Sequence, residues 1–152
     1  MNNNILSKRV VVSIFTAIII IMTIIPNLGY IYTPWVRITV IHVPVIVVSI
    51  LYGKSLAIFM GIIFAVSSLL INTFNPNILS FLFSPFYKFG EIGGGMASLI
   101  ICFIPRIIMA FVANISYRKN CKKIYLLFLG FISSLCNTFF VLLGIYIFYF
   151  DI

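Results

Sequence analysis

From Tyr125 to Phe150 the chain reads YLLFLGFISSLCNTFFVLLGIYIFYF, a run of 26 residues without one charge. As an α-helix such a run extends about 39 Å, enough to cross the roughly 30 Å hydrocarbon core of a bilayer with some tilt. The rest of the chain has the same character: of 152 residues, 63% are hydrophobic and only 8% charged. A water-soluble domain needs roughly 25% charged residues. The composition therefore predicts an all-α membrane protein in contact with the lipid bilayer, with 1–152 as a single transmembrane domain. Ten Lys+Arg stand against two Asp+Glu, a formal charge of +8. These cations lie between apolar runs and not together on a soluble face, so no nucleic acid partner is expected.

A charge at the bilayer centre costs about 2.5–3.5 kcal/mol on insertion scales, so charges mark the ends of spans. On this basis Val10 to about Pro26 forms a first helix, followed by turn chemistry at Asn27-Leu28-Gly29 and Thr33-Pro34. Lys8-Arg9 ahead of it resembles a signal-peptide start, but no small-residue cleavage pattern follows, so this helix is expected to be retained. Ile38 to about Tyr52 forms a short second helix interrupted by Pro44 and ended by Gly53-Lys54, and Ser55 to about Thr73 a third. Asn75-Pro76-Asn77 opens a connection whose apolar piece, Ile78 to Phe83, is too short to span and is expected to be re-entrant or surface-lying. Gly93-Gly94-Gly95 leads into a fourth helix, about Met96 to Tyr117, and the opening run is the fifth. With the N-terminus cytoplasmic, Lys8, Arg9, Lys54, Arg118, Lys119, Lys122 and Lys123 fall inside and only Arg37 and Lys88 outside, the bias that sets orientation.

The chain carries little catalytic chemistry. Cys102, Cys121 and Cys136 form no C-x-x-C pair and read as packing thiols. Gly53-Lys54-Ser55 imitates the end of a phosphate-binding loop, but position 48, where that loop needs glycine, is Val48. There is no H-E-x-x-H, no G-x-S-x-G and no acidic pair within the spans, and His42 has no carboxylate to orient it. The expectation is a protein that is not an enzyme and needs no metal or cofactor.

The polar residues inside apolar segments are the candidates for function. Arg37, His42 and Pro44 cluster where the chain enters the second helix from outside. Pro44 lacks an N–H and frees the carbonyl of Val40 as an acceptor near the imidazole. His42 falls about 7–8 Å below the boundary, within reach of a ligand or simply of headgroups. Asn72 and Asn75, flanking Thr73, mark the outer end of the third helix as ligand-binding amides or an ordinary stop. Trp35, Phe83, Phe86 and Tyr87 can wall a pocket or form an aromatic belt, with Lys88 adding charge on the same side. Arg106 follows Pro105 in mid-helix; with Glu91 and Asp151 both placed outside, it must find a freed carbonyl such as that of Ile101, a bound anion or a cytoplasmic contact. Asn137-Thr138 is a buried polar pair suited to a ligand or to interhelical bonding. Ser13 and Ala17 share one face of the first helix, and Gly61 and Ala65 one face of the third; each pair allows close approach of another helix, internal or external.

The segments Ile38 to Ile46 with His42-Val43-Pro44, Ser67 to Pro76 with Asn72-Thr73-Phe74-Asn75-Pro76, Ser80 to Phe86, Ile104 to Ile107 and Ser133 to Thr138 resemble the S components of energy-coupling factor (ECF) vitamin transporters, most nearly the pantothenate-type branch. The resemblance covers nearly the whole chain. It implies a membrane receptor that captures a vitamin outside the cell and docks on a transmembrane scaffold subunit with two ATPase subunits. It also implies that Ser13 and Ala17 meet the scaffold, with Ser where Ala is more usual. Arg37, His42 and Lys88 would then favour an anionic vitamin. S components usually have six spanning helices, and only five are visible here, so a last helix is expected to be truncated or absent. A membrane scaffold or assembly protein without a small-molecule ligand is the alternative.

Overall fold

The computed structural model describes residues 3–26, 28–32, 37–89, 92–117 and 122–149. Five α-helices carry the fold: α1 (Asn3–Ile24), α2 (His42–Tyr52), α3 (Lys54–Phe74), α4 (Met96–Ile115) and α5 (Lys123–Tyr149). α3, α4 and α5 (from Ile124) are long and apolar enough to cross a membrane. α1 begins seven residues before the expected Val10, carrying Lys8 and Arg9 inside its first turns.

The second helix is shorter than the sequence suggested. Ile38 and Thr39 belong to a strand, β2 (Arg37–Thr39), paired antiparallel with β1 (Tyr30–Tyr32) in the register Tyr30 to Thr39 and Tyr32 to Arg37. The β-branched run Ile38-Thr39-Val40 suits a strand, and the Val40 N–H extends the pairing to the Gly29 carbonyl at 2.8 Å. α2 thus has 11 residues, about 16 Å, half of a hydrocarbon core. Pro44 does not interrupt it. It is the third residue of the helix, where the missing N–H would have had no intrahelical acceptor. The Val40 carbonyl is not freed either, since it accepts from the Val43 N–H at 3.1 Å.

Gly53, at φ 92°, turns the chain from α2 into α3 in a backbone region that favours glycine. α3 and α4 then form the centre of the bundle. Gly61 lets them approach so closely that a Cβ there would lie 2.9 Å from the Cα of Ile107 and 3.0 Å from the Arg106 carbonyl. Met60 and Phe64 of α3 and Ile101, Cys102 and Met109 of α4 are fully buried. α5 is peripheral: 17% of its spanning window is buried, against 50% for α3 and 44% for α4. Its remaining surface is apolar and suited to lipid.

The piece too short to span is a 3-10 helix, Ile78–Leu82, fixed at its start by reciprocal bonds between Asn77 and Ser80 and held on α4 by the Ser98 hydroxyl, which donates to the Phe81 carbonyl at 2.6 Å. It packs over the ends of α3 and α4. A small hairpin, β3 (Lys88–Phe89) and β4 (Ile92–Gly93), precedes α4.

Candidate functional site

The site starts from Pro105. Without an N–H it leaves the carbonyl of Ile101 unpaired, and Nη1 of Arg106 donates to that oxygen at 2.7 Å. This is one of the solutions the sequence offered. Nη2 donates to Ser68 Oγ at 3.2 Å, which ties α4 to α3. The guanidinium is enclosed by two rings, 5.6 Å from the centroid of Phe64 and 4.9 Å from that of Phe83. Arg106 is thus a buried cation held by a hydroxyl, a carbonyl and two aromatic faces.

Ser68 and Asn72 lie one helical turn apart on the same face of α3. Asn72 Nδ2 donates to the Ser68 carbonyl at 2.7 Å, and its Oδ1 lies 3.0 Å from the Ser80 hydroxyl, whose one proton it shares with Asn77. Tyr30, folded inward by the first hairpin, meets Ser67 at 3.2 Å. From α5, Asn137 reaches His42 at the start of α2, with Nδ2 and Nε2 3.2 Å apart. His42 Nδ1 lies 2.9 Å from the carbonyl of Thr39. A carbonyl can only accept, so Nδ1 carries the proton; in the neutral ring Nε2 then accepts from the Asn137 amide. An edge contact with Phe64, ring centroids 5.0 Å apart, fixes the imidazole plane. The acceptor beside His42 is therefore Thr39, not Val40 as expected.

These groups surround a cavity of about 290 Å³, bordered by Tyr30, Ser68, Asn72, Phe83, Arg106 and Asn137 among others. That is the lower end of the size range of ligand pockets, roughly 300–1,000 Å³. A larger cleft of about 870 Å³ runs between α2 and α5, but its walls are almost wholly apolar, as at Val43, Ile46 and Leu127. The polar chemistry converges on the smaller cavity.

Of the residues singled out in the sequence, Asn72, Asn137 and Arg106 meet at this cavity. His42 does not line it; it borders the apolar cleft and touches the cavity through Asn137. Asn75, Tyr87 and Lys88 stand away from the wall: Asn75 caps α3, and Lys88 is exposed on β3. The backbone of Arg37 pairs in the hairpin, while its side chain, Trp35, Glu91, Cys121 and Asp151 lie outside the described residues. Phe83 walls the cavity, whereas Phe86 is exposed. Sequence reasoning missed Tyr30, Ser68 and Asn77. The i, i+4 spacing of Ser68 and Asn72 was a usable signal; nothing local pointed to Tyr30.

The two small-residue pairs separate. Gly61 and Ala65 are buried in the α3–α4 contact, and Cys102 Sγ lies 3.4 Å from the Ala65 carbonyl. Ser13 and Ala17 are exposed on α1, with the Ser13 hydroxyl turned back to the Arg9 carbonyl at 2.9 Å. Among the described residues no three His, Cys, Asp or Glu side chains gather as a metal site.

No protein-family model and no solved structure matches the chain. It is similar to a curated protein of Lactococcus lactis subsp. cremoris (strain MG1363), pantothenic acid transporter PanT, with 29% identity over 147 residues. The alignment takes in 94% of this chain and 74% of that protein.

Proposed function

We propose that this chain is a membrane-embedded transport subunit that captures pantothenate outside the cell, the S component of an ECF-type transporter. The observation that carries the reading is the likeness to a pantothenic acid transporter along 94% of the chain. The polar cavity in an otherwise apolar bundle supports it, because it offers a small hydrophilic molecule hydrogen-bonding groups and a cation within the membrane-spanning region. Arg106, Asn72 and Asn137 are the proposed contacts, with His42 positioning Asn137. Arg37, Asn75, Tyr87 and Lys88 are assigned to the approach from outside and not to the cavity wall. The N-terminus is cytoplasmic in this reading.

A receptor of this kind needs energy from partners, since the sequence contains no complete nucleotide-binding motif. We assign that role to a transmembrane scaffold subunit with two ATPase subunits. The exposed Ser13 and Ala17 face of α1 is the proposed contact with the scaffold. Calorimetric titration of the detergent-purified chain with pantothenate tests the receptor role, and saturable binding is expected. Recovery of ATPase subunits with the tagged chain from its native membrane tests the partners. Pantothenate binding without them would leave the receptor role standing and remove the ECF assignment; neither result would favour a scaffold protein.

A further inference from the structure

Two buried atoms of the site have no partner among the described residues: Nε of Arg106 and Oδ1 of Asn137. Both side chains are more than nine-tenths buried, at 6% and 7% exposure, and both border the 290 Å³ cavity. Each is anchored by its other polar atoms. Arg106 is held through Nη1 and Nη2 by Ile101 and Ser68, and Asn137 through Nδ2 by His42. Native proteins rarely leave such groups unmet, because a buried donor or acceptor without a partner forfeits its hydration with nothing in return. No described residue offers a carboxylate to the guanidinium, since the two acids of the chain are Glu91 and Asp151.

The pair differs in sign and role. Arg106 Nε is a cationic donor that calls for an anionic acceptor, and Asn137 Oδ1 is a neutral acceptor that calls for an O–H or N–H. We infer that Arg106 and Asn137 are the specificity pair of the cavity, reading a small acid by its carboxylate at Arg106 and by a hydroxyl or amide N–H at Asn137. The inference rests on the cavity being the ligand site, as proposed above. Pantothenate, with a carboxylate at one end and an amide and hydroxyls beyond it, meets both demands. Binding asks for a turn of the Asn137 amide about χ2, a broad terminal torsion, and a matching adjustment of the arginine. The arginine then selects for charge and the asparagine for the donor, so the two act separately on affinity.

The test compares pantothenate with its primary-alcohol analogue, in which CH2OH replaces the carboxylate, by calorimetry on the purified chain. Wild type is expected to prefer the acid by roughly 10- to 100-fold, as for a charge-assisted hydrogen bond in a desolvated site. Arg106→Gln should collapse this ratio toward one, and Arg106→Lys should restore part of it. Asn137→Ala should weaken both ligands together and leave the ratio intact. Equal binding of acid and alcohol by wild type overturns the inference without any variant, so it stays falsifiable if Arg106→Gln does not fold. An unchanged ratio in Arg106→Gln also overturns it. If wild type binds neither ligand, the proposed function falls. A panel of other hydroxy and acylamino carboxylates then decides the inference, which survives if one binds in an Arg106-dependent way and fails if none does.

Discussion

Replacing Gly61 by alanine should loosen the centre of the bundle. A Cβ at this position would stand 2.9 Å from the Cα of Ile107, about 0.5 Å inside ordinary van der Waals contact, and 3.0 Å from the carbonyl of Arg106. Both opposing atoms are backbone, so no side chain can rotate away and α4 itself must retreat. Overpacking of this kind costs about 1–3 kcal/mol, and a contact with backbone belongs in the upper part of that range. Alanine returns about 0.8–1.0 kcal/mol of helix propensity, leaving a net loss of about 1–2 kcal/mol. For a chain of this size that lowers Tm by about 2–8 °C. The same displacement carries Arg106 from Ser68, so pantothenate affinity should fall along with stability. Gly130 on α5 is the control, because a Cβ there meets nothing within 4 Å, and Gly130→Ala should be neutral or stabilising by up to about 1 kcal/mol. Thermal unfolding of both variants in one detergent, with titration of each, provides the assay. Equal Tm values for Gly61→Ala and wild type would refute the close-packing argument.

The phenol of Tyr30, in the hairpin outside the spans, is pushed by burial from an ordinary 10.0 up to about 12. An acid whose folded pKa is raised stabilises fully below pH 10, and that stability is lost as pH rises through about 12; Tyr30→Phe should remove on the order of 2 kcal/mol of this alkaline loss, read from unfolding midpoints between pH 9 and 12. His42→Ala leaves the Thr39 carbonyl and the Asn137 amide without their partner, so a destabilisation of about 1–3 kcal/mol and weaker pantothenate binding are expected from the same two assays. Leucine at both Ser13 and Ala17 should change neither Tm nor pantothenate affinity, because both positions are exposed, but should abolish recovery of ATPase subunits and uptake by cells.

Much of the fold was legible because it depends on the length of uncharged runs alone. Uncharged runs near Lys54–Phe74, Met96–Ile115 and Ile124–Tyr149 exceed what a bilayer requires, whatever they pack against. The error came where periodicity was ambiguous: Ile38-Thr39 reads equally as the first turn of an apolar helix or as a strand. Only its pairing with Tyr30–Tyr32 makes it a strand. That one shift moved His42 to the head of α2 and put Pro44 at a position where it breaks nothing.

In the site the division is sharper. The Ile101 carbonyl was one of three partners that the sequence offered Arg106, since a proline in the interior of a helix leaves the carbonyl four residues before it without its usual donor. The meeting of Asn137 with His42, 95 residues apart, and of Tyr30 with Ser67, 37 apart, was not legible there. Nor could spacing separate Ser13 and Ala17, which face outward, from Gly61 and Ala65, which are buried. The long apolar helices, their fitness for lipid and the carbonyl released by Pro105 inside α4 could be read from the amino acids alone, because these follow from neighbours within one turn and from transfer into hydrocarbon. Which polar groups share a cavity is a property of the folded bundle. That depends on how each helix is rotated about its axis, and the rotation is set by contacts such as Gly61 against Ile107, between residues far apart in the chain.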